Sequence, residues 1–260
     1  MSCWGNSSWR PPPTLGRRQV ALQRRQPVDW SMFMTTQEQP SRVLVIAAHP
    51  DDADISSGGT IARWAREGRQ VHYVLCTSGN RGSDDPEMTP ERLGEIREAE
   101  QQAAAAILGV AGLTFLHHED CELEETLAFR RELSGLIRTF RPDVLMTHDP
   151  WARYRIHPDH RVVGFTALAA IVMAGNRMYG EGPPPHTVGQ VYLFQTDNPD
   201  FWVDITETFE LKVQAIHQHR SQTAHSGEMM MKRVREWAES AGETARVPLA
   251  EGFKAFVPRH

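Results

Sequence analysis

Two short motifs, widely separated in the chain, combine histidine with aspartate: H-P-D-D at residues 49–52 and H-P-D-H at residues 157–160. Two histidines and one aspartate from such motifs form a set of nitrogen and oxygen ligands that suits a catalytic Zn²⁺, which keeps a fourth position for water. Because His157 and His160 are three residues apart at the start of a predicted helix, both can face one side. Zinc lowers the pKa of its bound water to roughly 7, so Asp51 is free to act as a general base toward that water.

Both motif regions follow predicted strands. Residues 43–48 form a short apolar run typical of a buried parallel strand, and H-P-D-D overlaps its end. Residues 144–147 form a second such run, followed by H-D-P and then by H-P-D-H. In the common strand order 3-2-1-4-5 of an open α/β sheet, strands one and four are neighbours, and ligands bind at their carboxyl ends. We therefore expect the two motifs to share one crevice.

Strands alternate with helices along the chain, which predicts an α/β fold: a Rossmann-like, mostly parallel sheet with helices on both faces, forming a single catalytic domain. The predicted strands cover residues 43–48, 71–77, 113–116, 144–147, 191–194 and 202–205. The predicted helices begin near residue 56 and then cover residues 89–108, 125–140, 158–174 and 207–219. The residues after 219 are predicted to be a C-terminal tail, in which the three methionines at 229–231 serve packing.

The composition excludes several classes of protein. The chain has 260 residues and a formal net charge of −5, with 28 lysines and arginines against 33 aspartates and glutamates, whereas a nucleic-acid-binding protein usually has the opposite balance. Its three cysteines form no C-x-x-C motif, so neither a disulfide framework nor a thiolate zinc site is indicated, and a reducing, cytoplasmic location is expected. No apolar run approaches the roughly 18 residues that a membrane helix needs.

The first forty residues differ in composition from the rest. Residues 1–31 contain five arginines, three consecutive prolines and one acidic residue, and they lack the apolar segment of a secretory signal. We expect residues 1–40 to be a disordered or loosely attached extension and residues 41–260 to form the catalytic domain. A chain that starts at Met34 should therefore fold and act like the full chain. The alternatives are translated sequence upstream of a natural start at Met32 or Met34, and a basic arm that binds an acidic partner.

Taken together, the motifs resemble the PIG-L/LmbE-like family of zinc-dependent de-N-acetylases, the N-acetylglucosaminyl deacetylases. The family hallmarks run in family order from about residue 43 to residue 256, which is most of the chain. They are A-H-P-D-D-A-D-I-S-S-G-G-T-I, T-S-G-N-R-G-S, R-E-A-E, R-P-D-V-L-M-T-H-D-P, H-P-D-H-R, H-Q-H-R-S-Q and A-E-G-F. The N-terminal extension lies outside the resemblance.

The resemblance implies a role for each matching residue of the two histidine motifs. Asp51 would be the general base. His157 would be the cation that stabilises the oxyanion or protonates the leaving amine, and Asp159 would orient His157. The Zn²⁺ ligands would be His49, Asp52 and His160.

The same resemblance implies that Arg97 and Asp120 bind hydroxyl groups of an N-acetylglucosamine ring, because a forked cation and a carboxylate pair well with vicinal hydroxyls. A structural ion pair between these two residues is the alternative. Several family members carry a tyrosine two residues before the first histidine of H-P-D-H, but here that position is Arg155, and Tyr154 is one residue further back. The group that assists the oxyanion is therefore Tyr154, Arg155 or His157 alone.

The implied function is hydrolysis of a linear amide bond, in which metal-activated water removes the N-acetyl group from a small molecule containing N-acetylglucosamine and releases acetate. The expected partner is an amino-sugar substrate, with no nucleic acid and no membrane span, and a homo-oligomer is compatible with the sequence. One alternative is the same site acting on a different amide, such as a thiol conjugate. Another is an acidic, Mg²⁺-binding, receiver-like domain, which would leave the histidines of H-P-D-H unexplained. A non-catalytic binding module is the last, and the intact ligand set and base argue against it.

Overall fold

The computed structural model describes residues 41–179, 182–224 and 227–258, so the predicted extension at residues 1–40 lies outside the described residues. Its strands are β1 (Arg42–Ala47), β2 (Gln70–Thr77), β3 (Gly112–His118), β4 (Val144–His148), β5 (Gln190–Phe194), β6 (Phe201–Asp204) and β7 (Ala250–Phe256). Its helices are α1 (Asp52–Arg66), α2 (Pro90–Leu108), α3 (Leu127–Phe140), α4 (Pro158–Gly175), α5 (Phe209–Ile216), α6 (Arg220–Thr223) and α7 (Gly227–Ala245). In these ranges no helix is both long enough and apolar enough to cross a membrane.

The strands form one sheet in the order β3-β2-β1-β4-β5-β7-β6. The first five strands of that order are parallel to one another, while β7 pairs antiparallel with both β5 and β6. The predicted α/β fold and the predicted order 3-2-1-4-5 are confirmed, and strands one and four are direct neighbours. The site predicted at their carboxyl ends therefore lies where the strand order reverses.

Two hydrophobic layers cover the two faces of the sheet. Side chains of β1 alternate between them, with Val43 and Val45 in one layer and Leu44 and Ile46 in the other, as the two-residue period of a strand requires. Helices α1, α2, α5 and α7 supply the first layer, and α3 and α4 supply the second. Because both faces of β1 are buried, its sequence is a continuous apolar run rather than an alternating one.

The first helix begins earlier than predicted. α1 starts at Asp52, directly after H-P-D, and not near residue 56. Asp52 and Asp54 lie in its first turn, where carboxylates are stabilised by the partial positive charge of the helix N-terminus. The predicted ends of α2 are confirmed: the Thr89 hydroxyl accepts a hydrogen bond from the Arg92 amide at 3.3 Å, and Gly109 ends the helix with φ of 75°.

The predicted C-terminal tail is wrong, because those residues form α7 and β7. α7 buries Val234, Ala238 and Gly242, which are spaced four residues apart and lie on one face of the helix. β7 carries the charged residue Glu251 at a buried position, which hides its strand character in the sequence. Tertiary contacts with β5 and β6, rather than local pattern, determine that β7 is a strand.

Candidate active site

The two histidine motifs meet at the carboxyl ends of β1 and β4, which are parallel neighbours. His49 Nδ1 lies 3.3 Å from His160 Nε2. The carboxylate of Asp52 lies 3.2 Å from His49 Nδ1 and 3.1 Å from His160 Nε2. Three potential metal ligands from distant parts of the chain therefore face one point.

The separations of these three donor groups fit a bound metal ion, with Asp52 Oδ2 facing His49 and Asp52 Oδ1 facing His160. Ligand atoms at about 2.0–2.2 Å from a tetrahedral Zn²⁺ lie roughly 3.3–3.5 Å from one another, close to the distances between the three donors. His49 and Asp52 are buried, whereas the His160 side chain is 18% exposed, so the centre can be reached from the His160 side. Two nitrogens and one oxygen form the donor set expected of a catalytic metal site with an open position.

Carboxylates surround the imidazole of His49. Its Nε2 atom lies 3.0 Å from Asp120 Oδ1 and 3.1 Å from Asp159 Oδ2, while its Nδ1 atom faces Asp52. Burial lowers the pKa of His49, but the three aspartates outweigh this effect and hold that pKa well above its ordinary value. The raised pKa reflects a negative local potential, which favours a divalent cation at this place.

His148, to which the sequence motifs give no role, packs against the site. It is buried, its ring stacks on that of His160 with 4.3 Å between centroids, and its Nε2 atom lies 3.4 Å from Asp52 Oδ2. Burial lowers the pKa of His148 to about 4, so the ring is neutral at neutral pH. Accordingly, Nε2 accepts a hydrogen bond from the Ala48 amide at 3.1 Å. Its position immediately after the apolar run of β4 is the one sequence feature that could have identified it.

Asp51 stands beside the three donors in an uncommon backbone conformation, with φ of 91°. Its amide donates to Gln101 Oε1 at 2.9 Å, and Gln101 Nε2 donates in turn to Asp54 Oδ2 at 2.8 Å. Arg97 Nη2 donates to Asp51 Oδ2 at 3.2 Å. Burial raises the pKa of Asp51, and the Arg97 guanidinium opposes that rise. The Asp51 carboxylate is thus held next to the donor cluster by α2, which supplies both Gln101 and Arg97.

Comparison with known proteins places this geometry in a family. Residues 44–171 match the PIG-L family, described as GlcNAc-PI de-N-acetylase. The diacetylchitobiose deacetylase of Thermococcus kodakarensis is 35% identical over 223 residues, which cover 84% of this chain and 83% of that protein. The chain belongs to the PIG-L family. The family inferred from the sequence motifs is therefore confirmed.

Further relatives and solved structures extend the comparison. A 1D-myo-inositol 2-acetamido-2-deoxy-α-D-glucopyranoside deacetylase of Thermomonospora curvata is 35% identical over 171 residues, which cover 55% of this chain and 56% of that protein. A structure of N,N'-diacetylchitobiose deacetylase from Pyrococcus horikoshii, in complex with an inhibitor, has a TM-score of 0.80 and 33% identity over 84% of each chain. The 4-carboxy-2-hydroxymuconate hydratase of Pseudomonas putida has a TM-score of 0.73 and 26% identity, over 85% of this chain and 98% of that one.

Two points follow for the reaction class. The prediction of a deacetylase, a hydrolase of amide bonds, is confirmed by the deacetylases among these proteins, whereas the receiver-like alternative finds no support. PIG-L deacetylases are metal-dependent, and this chain has a possible histidine–aspartate metal site.

Arg97, which the PIG-L resemblance assigns to the substrate, contacts the chain itself. Its Nη1 atom donates to the Gly79 carbonyl oxygen at 2.9 Å, and its Nη2 atom donates to the Pro50 carbonyl oxygen at 2.7 Å. A Cβ atom at Gly79 would lie 2.2 Å from Nη1 of Arg97, so any larger residue at position 79 would clash with the guanidinium group in this position. The alternative of an Arg97–Asp120 ion pair is wrong, because Arg97 pairs with Asp51 instead.

Asp120, the second residue assigned to the sugar, lies at the same site. It is buried, and its Oδ2 atom accepts a hydrogen bond from the Arg81 amide at 3.1 Å, while its Oδ1 atom faces His49. Burial raises the pKa of Asp120, but its contacts with His49 and with the Arg81 amide outweigh burial and hold the pKa well below its ordinary value. Asp120 is therefore an anion that helps to orient His49, and its hydroxyl-binding role stays a prediction.

His157 lies at the edge of the site, and its expected partner points elsewhere. Its ring centroid is 4.6 Å from that of His49, and its Nδ1 atom has no hydrogen-bond partner among the described residues. Asp159, expected to orient His157, instead contacts His49 Nε2 and accepts a hydrogen bond from the Cys121 amide at 2.8 Å. The reason is burial: Asp159 is fully buried beneath His49, whereas His157 is half-buried.

The two other candidates for the oxyanion lie in an exposed loop. Tyr154 is 94% exposed, and Arg155 lines a cavity of about 430 Å³ whose walls include Trp202 and Trp237. Within the described ranges, neither side chain is hydrogen-bonded to His157 or to the three donors. Of the three candidates, His157 alone contacts the donor cluster.

Proposed function

We propose that this protein is a zinc-dependent hydrolase that removes the N-acetyl group from a small molecule containing N-acetylglucosamine and releases acetate. The observation that carries the proposal is the convergence of His49, Asp52 and His160 on one point. The carboxylate of Asp51 stands beside that point, bound to Arg97. The deacetylases of diacetylchitobiose and of an N-acetylglucosaminyl inositol among its relatives support the substrate class.

The first half of the reaction needs a metal and a base. Zn²⁺ held by His49, Asp52 and His160 would lower the pKa of a water molecule and polarise the acetyl carbonyl group. Asp51 accepts the proton that the water loses as its oxygen attacks the carbonyl carbon. Arg97 opposes the rise in the Asp51 pKa that burial causes, and so keeps the carboxylate available as a base.

His157 serves the second half of the reaction. Its ring lies 4.6 Å from the ring of His49 and 4.8 Å from that of His160, so it borders the place where the acetyl group would sit. There its protonated form stabilises negative charge on the carbonyl oxygen and delivers its proton to the nitrogen of the leaving amine, while Asp51 holds the proton taken from the water. The carbon–nitrogen bond breaks, the oxygen of the water remains in acetate, and the amino sugar leaves as the free amine.

The surrounding side chains hold these groups in position. Asp120 and Asp159 contact Nε2 of His49 and so direct its Nδ1 atom toward the metal position. Arg97 binds the carboxylate of Asp51 and Gln101 binds its backbone amide, and these two contacts hold Asp51 in position. The family resemblance also assigns Arg97 and Asp120 to ring hydroxyls. That role is a separate part of the proposal for Asp120, whereas the contacts of Arg97 favour the positioning of Asp51.

The proposal is tested by acetate release from metal-loaded protein. Purified protein would be stripped of metal, reloaded with Zn²⁺, and given N,N'-diacetylchitobiose, an N-acetylglucosaminyl inositol and N-acetylglucosamine. We expect acetate and free amine to appear in equal amounts from at least one of them, activity to vanish on chelation, and zinc to restore it. The matched control is His160→Ala, which should lose both metal and activity.

Two results would contradict the proposal. Protein with one metal per chain that releases no acetate from any of the three compounds would not be a deacetylase of this substrate class. Hydration of an unsaturated carboxylate without acetate release would instead point to the reaction of the structurally similar hydratase.

A further inference from the structure

A second group of potential metal ligands lies next to the proposed zinc site. Asp120, Cys121 and His157 each offer one ligand atom, and the three atoms lie within 4.8 Å of one another. Cys121 Sγ is 3.4 Å from Asp120 Oδ1 and 3.8 Å from His157 Nε2. None of these three residues belongs to the His49, Asp52 and His160 set.

The distances suit a tetrahedral ion bound through sulfur. With metal–sulfur and metal–nitrogen bonds of about 2.3 Å and 2.0 Å, the sulfur and nitrogen lie roughly 3.5 Å apart. The two separations that involve sulfur need only a few tenths of an ångström of adjustment, and the ligand atoms of Asp120 and His157 lie within 4.8 Å of each other. Cys121 is exposed, so an ion from solvent can reach the thiol, while Asp120 is buried and held by the Arg81 amide.

The ligand types determine which ions would bind. A thiolate with an imidazole favours Zn²⁺ and other thiophilic ions, whereas Mg²⁺ and Ca²⁺ prefer oxygen ligands. Binding would displace the thiol proton to solvent as the sulfur–metal bond forms. The same ion would be coordinated by Nε2 of His157 and by one oxygen of Asp120. It would therefore lie next to the first site.

We propose that Asp120, Cys121 and His157 form a second, inhibitory site for a thiophilic divalent ion such as Zn²⁺ or Cd²⁺. The inhibitory part rests on the proposed function, in which His157 serves the leaving amine and must be free. The metal-binding part does not rest on that function. A zinc ion at the first site would therefore activate the protein, and excess zinc bound at the second site would inhibit it.

Metal binding is tested without any substrate. Protein loaded with one Zn²⁺ per chain would be titrated with Cd²⁺, and the ultraviolet charge-transfer band of a sulfur–cadmium bond would be recorded with the metal content. We expect one further ion per chain and a saturable band in the wild type. Cys121→Ser, and Cys121→Ala as a second variant, should lose both. Cys76 is fully buried, so Cys3→Ser is the matched thiol control and should behave like the wild type.

Inhibition is tested separately with excess Zn²⁺ in the acetate-release assay. We expect Cys121→Ser to keep the basal rate and to need about tenfold or more zinc for the same inhibition, since loss of a ligand weakens binding at least as much as loss of an outer partner. Absence of the band in the wild type, or a band that persists in both Cys121 variants, overturns the second site. A second ion that binds through Cys121 without slowing acetate release overturns its inhibitory role. If no acetate is released at all, the proposed function fails, while the cadmium titration still decides whether the second site exists.

Discussion

Asp51 combines a strained backbone with two fixed neighbours. A non-glycine residue with φ of 91° costs free energy that the surrounding structure must repay. The amide of Asp51 is held by Gln101, its carboxylate by Arg97, and its pKa is raised by burial. Such strain at a carboxylate beside a cluster of histidines is typical of a catalytic site, where a general base must be held in one orientation.

Substitution of Arg97 tests whether this residue positions Asp51. We expect Arg97→Ala to lower kcat on the order of tenfold to a hundredfold, because the base loses the cation that orients it and opposes its raised pKa. The loss should be similar for diacetylchitobiose and for a ring-free N-acetyl amine, measured by acetate release. Arg97→Lys, which keeps the charge, is the control and should retain part of the activity.

The opposite pattern would change the assignment of Arg97. A loss confined to the sugar, expressed in KM with kcat unchanged, would mean that Arg97 binds ring hydroxyls, as the family resemblance implies.

The site was predictable from the sequence only in part. The motifs H-P-D-D and H-P-D-H, placed after neighbouring strands, were enough to bring His49, Asp52 and His160 together. The pairings of Asp159 with His49 and of Arg97 with Asp51 were not predictable, because they depend on side-chain directions set by burial and by the packing of α2 and α4. His148 was missed because a single histidine at a strand end carries no spacing pattern.

At the scale of helices and strands, the buried ion pair between Glu251 and Lys212 connects β7 to α5, and Glu251 also connects β7 to α1. Glu251 of β7 accepts hydrogen bonds from the amides of Gly59 and Thr60 in α1, at 3.0 and 2.7 Å, and from Lys212 Nζ of α5 at 2.6 Å. Both side chains are only 4% exposed. The A-E-G-F motif therefore has a structural role, which the sequence could not reveal because its partners are about 40 and 190 residues away.

Removing one member of this pair should destabilise the protein. We expect Lys212→Met to lower the free energy of unfolding by about 3–5 kcal/mol, because it leaves the Glu251 carboxylate buried without its cation. Urea unfolding measures the change. The double variant Lys212→Met/Glu251→Gln should recover part of the loss, since a neutral amide needs no cation, although its single oxygen can accept only one of the two α1 hydrogen bonds.

A small effect would contradict this view of the ion pair. If Lys212→Met costs less than about 1 kcal/mol, the pair contributes no more than an exposed salt bridge does, and β7 is held by its strand partners alone.

For the whole molecule, the parallel core of the sheet explains why the site could be located before its details were known. Strands β1 and β4 are flanked by apolar layers on both faces, so their ends are rigid and adjacent. The remaining strands were predictable where apolar runs were short and continuous. The C-terminal α7 and β7 were not, since their positions depend on contacts with distant strands.

The N-terminal extension should be dispensable. All seven strands of the sheet and every residue of the proposed site lie between residues 41 and 258. We expect a chain that starts at Met34 to have the same thermal unfolding midpoint and the same rate of acetate release as the full chain. A large drop in either quantity would show that the first residues contribute to the catalytic domain, and Arg-to-Gln changes in the full chain would then test their charge.

The most direct measurement pairs metal content with acetate release in Asp51→Asn. The amide of asparagine cannot accept the proton of the water, while His49, Asp52 and His160 are unchanged. We expect one metal ion per chain, as in the wild type, with acetate release from diacetylchitobiose slower by about 10²- to 10⁴-fold. Near-normal acetate release from metal-loaded Asp51→Asn would contradict it, because the base would then lie elsewhere.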